Sequence, residues 1–88
     1  MDTHRLVKMA NDIASFFNSE PDHQVALEGV AGHIRRFWDP RMRREILKWV
    51  DEHDGEGLHP LALEALRVNR ERLMPQAVAG RTLRRAPA

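Results

Sequence analysis

In the stretch HIRRFWDPRMRREI, residues 33–46, a helical pattern of apolar residues runs into an Asp-Pro step and resumes beyond it. A residue before proline is pushed out of the α region, whereas aspartate is a good helix N-cap and proline a good first helical residue. Asp39 and Pro40 therefore end one helix and cap the next, and the chain must turn a corner between them. At about 100° per residue, Ala26, Leu27, Val30, Ala31, Ile34, Phe37 and Trp38 form the inward arc before the corner. After it, Met42, Ile46, Leu47, Trp49 and Val50 point inward while Arg41, Arg44 and Lys48 point away.

The rest of the chain reads in the same way. Leu6, Val7, Met9, Ala10, Ile13, Phe16 and Phe17 share one arc of a first helix that starts near Asp2 or Thr3 and stops before Pro21, with Lys8, Asn11, Asp12 and Ser15 opposite. Ser19, with Asp22 three residues later, resembles a capping box that opens the second helix. Asp54-Gly55 closes the third helix, Gly55 supplying the left-handed residue. Pro60 opens a fourth over residues 61–73, with Leu61, Ala62, Leu63 and Leu66 as its apolar face. β-branched residues are sparse, tyrosine is absent and no segment alternates apolar with polar over a strand's length. The sequence predicts an all-α fold, a small bundle of about four short helices. Residues 1–74 form the helical domain, and 75–88, poor in apolar bulk and bracketed by proline, form a flexible basic tail.

Size and composition narrow the function. A chain of 88 residues buries only about 60 to 65% of the surface exposed when unfolded, so its isolated stability is marginal. With no cysteine, neither a disulfide nor a thiolate metal site can staple it, which leaves a modest core or a partner chain. No apolar run approaches the roughly 20 residues of a membrane span, and the N-terminus lacks a signal-peptide layout, so the expectation is a soluble cytoplasmic protein. There is no glycine-rich phosphate loop, and His4, His23, His33, His53 and His59 show no helical pairing that would converge on a metal. No catalytic, cofactor-binding or metal-binding residue is assigned.

The formal net charge is only +1, yet charge is segregated. Asp51 to Glu56 is acidic, while Arg35 to Arg44 is basic. Arg35 and Arg36 suit the negative end of the second helix's dipole, but Arg41, Arg43 and Arg44 sit in the first turns of the third, where positive charge is mildly unfavourable. The arginines either solvate two helix ends or await an acidic partner, since the guanidinium fork pairs well with carboxylates and phosphates. Asp39 is itself a candidate to pair with one of them. Phe37 and Trp38 fit the core, and a tryptophan beside arginines also fits an interface hot spot. Val25, Gly29, Gly32 and Arg36 form a stripe opposite the buried arc of the second helix. Exposed helical glycine costs about 1 kcal/mol relative to alanine, so Gly29 and Gly32 either drifted there or let another backbone approach.

The segments LVKMANDIASFF, ALEGVAGHIRRFWDPRMRREI and GEGLHPLALEAL together resemble the delta subunit of the soluble, molybdenum-dependent, NAD-coupled bacterial formate dehydrogenases. The likeness runs from Leu6 to Leu66, and its most specific part is H-I-R-x-F-W-x-P-R-M-R, His33 to Arg43. The tail carries no matching motif. The resemblance implies a cofactor-free accessory subunit of an enzyme that oxidises formate to carbon dioxide with reduction of NAD. It also implies an alpha partner carrying molybdopterin guanine dinucleotide and iron-sulfur clusters, a beta partner with FMN and the NAD site, and a gamma partner with further iron-sulfur. Arg35, Arg36, Phe37, Trp38, Arg41, Arg43, Arg44, Gly29 and Gly32 are then the expected partner-binding residues, foremost against alpha, with Asp39 and Pro40 as the structural cap. Two rivals are a transient maturation chaperone for the catalytic subunit and a small helical nucleic-acid binder. Asp39 within the basic cluster and the acidic loop one helix away count against the second.

Overall fold

The computed structural model describes residues 2–75, so the expected tail over 75–88 lies outside the described residues except for Pro75, which is buried. Helices α1 (Thr3–Phe17), α2 (His23–Phe37), α3 (Pro40–His53), α4 (Pro60–Val68) and α5 (Arg70–Leu73) make up the domain. No strand occurs among the described residues, in agreement with the all-α reading. The α2 helix is central and packs against α1 and α4 along its length, while α3 closes the bundle against α1 and α4.

Each boundary has a local cause. The Asp2 carboxylate accepts the His4 amide at 3.0 Å and starts α1. At α2 the cap is Asp22 and not Ser19. One Asp22 oxygen accepts the amides of Gln24 and Val25 at 3.0 and 3.3 Å, satisfying two of the orphan donors and leaving Pro21 outside the helix. The Asp39 corner forms as expected. Trp38 leaves the helix in an extended conformation, Asp39 accepts the Met42 amide at 3.0 Å and Pro40 takes the first position of α3. Replacing Asp39 with alanine is expected to cost about 1 kcal/mol. That would lower the melting temperature by about 4 to 8 °C. An unchanged melting curve would mean that this cap contributes nothing.

The far end of α3 uses two left-handed residues where one was expected. Asp54 has φ 55° and Gly55 φ 67°, and both amides donate to the Trp49 carbonyl. Gly55 is buried, and a Cβ there would lie 2.5 Å from Leu63 Cδ1, so close packing as well as φ selects glycine. Asn11, assigned from periodicity to the solvent face of α1, instead clamps this loop. Its side chain donates to the Gly57 carbonyl and accepts the His59 amide, at 2.9 and 2.7 Å. His59 in turn caps α4, its Nδ1 accepting the Leu61 amide at 3.0 Å.

The single fourth helix expected over 61–73 is broken at Asn69. This buried side chain donates to the Ala65 carbonyl at 3.1 Å and accepts from Arg72, competing with the backbone for the helical partners. Beyond it, α5 is tied to α3 by Arg70–Asp51 and to α2 by Arg72–Glu28, at 2.7 and 2.8 Å. These ties and the burial of Leu73 and Pro75 fold the short helix onto the domain.

The core joins Leu6, Leu27, Val30, Ile34, Trp38, Ile46, Leu47, Val50, Leu61, Leu66 and Leu73 with small residues on every long helix but α3, among them Ala10, Ala14, Ala62 and Ala65 at 0% exposure. Two expected core aromatics are outside it. Phe16 lies about 160° round the α1 axis from buried Ala14 and is 77% exposed. Phe37, the last helical residue of α2, is 68% exposed, because the chain turns after it and carries Trp38 inward instead. Trp49, expected inward, is half-buried at the edge of α3; its indole N–H donates to the Glu56 carbonyl and its ring stacks on His53.

Candidate docking surface

The residues singled out around the corner divide into an outer and an inner set. Arg35 and Arg36 project from the last turn of α2, followed by Phe37, and all three are exposed. Arg41 and Arg44 are exposed on the outer face of α3, where Lys48 continues their row. None of these cations has a carboxylate within 4.0 Å among the described residues. The expected Asp39 ion pair does not form either; one oxygen of its carboxylate accepts the Met42 amide of the cap.

By contrast, the arginines that follow α3 among the described residues each have a carboxylate within 4.0 Å. Arg67 meets Asp54, Arg70 meets Asp51 and Arg72 meets Glu28. The basic charge of the corner therefore has no carboxylate partner among the described residues, unlike that of Arg67, Arg70 and Arg72.

Three of the expected partner-binding residues work inside the domain instead. Trp38 is 4% exposed and belongs to the core, so it presents no surface to another chain. Arg43 turns away from the row, and its guanidinium donates to the Leu73 carbonyl at 3.3 Å, holding the C-terminal end of α5. Gly29 admits Phe17 of its own chain rather than a foreign backbone, since a Cβ there would meet the Phe17 ring at 2.4 Å. Gly32 remains open, its nearest such neighbour being the Arg36 guanidinium at 4.0 Å.

The two glycines should respond oppositely to substitution. Gly32→Ala removes a poor helix former without a clash and is expected to stabilise the domain by about 1 kcal/mol. Gly29→Leu forces the Phe17 ring aside and is expected to destabilise by about 1 to 3 kcal/mol. Equal shifts in thermal melts would contradict the assignment of Gly29 to the α1–α2 contact.

Another part of this surface was hidden in the sequence. Met9 and Met42 were assigned to the core, but both are half-buried and, with Asp2, Arg5 and Leu6, line a hollow of about 320 Å³ where α1 meets α3. Periodicity placed these methionines at the margins of their arcs, which was the available signal. Nothing in the spacing tied Arg5 to them.

No helix among the described residues is long and apolar enough to cross a membrane, and no group of three or more histidine and carboxylate side chains there could hold a metal ion. What the surface offers, among the described residues, is unpaired positive charge beside exposed Phe37.

No curated protein and no solved structure is significantly similar to the chain. The model of the family described as NADH-dependent formate dehydrogenase delta subunit FdsD does match, over residues 5–66. That span covers more than two thirds of the 88 residues and takes in most of α1, all of α2 and α3 and most of α4, including the Asp39 corner and the cationic face. The chain therefore belongs to the family of NADH-dependent formate dehydrogenase delta subunits.

Proposed function

We propose that this chain is a non-catalytic accessory subunit that docks on the larger subunits of formate dehydrogenase and supports assembly or stability of the complex. The complex oxidises formate to carbon dioxide and passes the electrons to NAD. The observation that carries the reading is the uncompensated charge of Arg35, Arg36, Arg41 and Arg44 around exposed Phe37. Desolvated against carboxylates of a partner, such arginines gain strength that they lack in water, and truncating one member of such a pair costs about 2 to 5 kcal/mol. Gly32 lies beside Arg36 and allows close approach on the same side of α2.

The partners in this reading are the alpha, beta and gamma subunits, alpha foremost. Molybdopterin guanine dinucleotide, iron-sulfur clusters and FMN belong to those partners, and no residue of this chain is assigned to them. A cytoplasmic location goes with the same reading.

Co-expression of alpha, beta and gamma with and without this chain tests the role. Omission should lower the yield of intact complex, or shorten its lifetime on warming, while formate-dependent NAD reduction per surviving complex stays comparable. An assembly of unchanged yield and lifetime would contradict the supporting role.

A further inference from the structure

On the outer face of α3, Arg41, Arg44 and Lys48 recur at intervals of three and four residues, a row about 10 Å long. With Glu45 they line a shallow depression of about 400 Å³. Glu45 stands four residues after Arg41 and three before Lys48, the spacing at which a helical carboxylate neutralises a cation. It does not do so. Its carboxylate accepts a hydrogen bond from the Thr3 hydroxyl of α1, and the row is left without a carboxylate within 4.0 Å among the described residues. Met42, next to Arg41, opens into the apolar hollow it shares with Leu6 and Met9, rimmed by Asp2 and Arg5. Methionine is adaptable enough to close around a side chain of irregular shape.

We propose that this face receives an acidic amphipathic helix of the partner subunit, with carboxylates set three or four residues apart on Arg41, Arg44 and Lys48 and an apolar side chain in the Leu6–Met9–Met42 hollow. The proposal rests on the docking reading above and specifies the chemistry of what docks. A straight row of cations along one helix matches carboxylates along another, since both repeat at the same rise. Duplex nucleic acid fits less well, because a phosphate backbone has nothing apolar to place in the Leu6–Met9–Met42 hollow.

The chain has two lysines, which makes the test specific. Lys8 is paired with Asp12 at 3.5 Å and serves as the internal control. Carbodiimide joins an amine to a carboxylate only where they touch. Applied to the purified complex of this chain with co-expressed alpha, beta and gamma, it should link Lys48 to an aspartate or glutamate of a partner helix. Lys48→Arg should abolish that link and leave the complex intact. The double variant Arg41→Glu/Arg44→Glu should weaken co-purification by roughly tenfold or more while its circular dichroism stays helical. A complex that forms normally but links Lys48 to no partner, or only to Glu52 of its own chain, would overturn the acidic helix and leave the docking reading standing. Failure of the wild-type chain to join the complex at all would overturn the docking reading itself. Charge reversal that abolishes binding to duplex DNA but spares co-purification would also exclude the acidic helix.

Discussion

Trp38→Ala is expected to lower the stability of the domain by about 3 to 5 kcal/mol, because a fully packed tryptophan is removed where α2 turns into α3. A single core in a domain of this size supplies only about 3 to 5 kcal/mol in total, so the isolated variant should be largely unfolded. Its neighbour should behave in the opposite way. Phe37 is exposed, and Phe37→Ala should change stability by no more than about 0.5 kcal/mol. If Phe37 is buried on docking, the same change should weaken co-purification with the larger subunits. Urea unfolding of both variants, read beside complex recovery, separates the two aromatics. A stable Trp38→Ala with an unfolded Phe37→Ala would contradict the geometry of the corner.

Leu66→Ala should have an effect of similar size, about 2 to 5 kcal/mol, since Leu66 is completely buried in the α4 part of the core. Alanine leaves a cavity that the surrounding helices close only in part. A distinctive consequence follows if the chain is a docked subunit. A partner that binds only the folded form stabilises it by about 2.7 kcal/mol when present at a hundred times its dissociation constant. Leu66→Ala should therefore melt or unfold alone yet be recovered folded inside the complex. Retained stability in isolation would show that the core tolerates the cavity, and absence from the complex at normal expression would argue against rescue by docking.

The helices were legible because amphipathic spacing, Asp39-Pro40, Asp54-Gly55 and Pro60 each act within a few residues. The Ser19 cap failed because Asp22 offers the same chemistry three residues later and engages two amides at once. Tertiary placement was harder to read. Trp38 and Phe37 are adjacent and equally apolar, and only the departure from helical geometry at Trp38 decides which turns inward. Phe16 stands at the edge of the apolar arc of α1 and is exposed, whereas Ala14, which the arc left out, is buried, because closely packed helices select small residues at their contacts. Arg43 was counted with the docking arginines since charge alone cannot reveal a carbonyl thirty residues away in sequence. The unneutralised row Arg41, Arg44 and Lys48 was visible as an outer face, but that Glu45 turns to Thr3 instead depends on the docking of α1 against α3.

The central claim is that this chain is a resident component of the enzyme. Its most direct test is native mass spectrometry of material purified through a tag on this chain from cells making all the subunits, assayed in parallel for formate-dependent NAD reduction. The expected result is a defined assembly with alpha, beta and gamma that carries the activity. Recovery of the chain alone, or only with an inactive alpha subunit, would contradict residence and point to a factor that leaves before the enzyme matures.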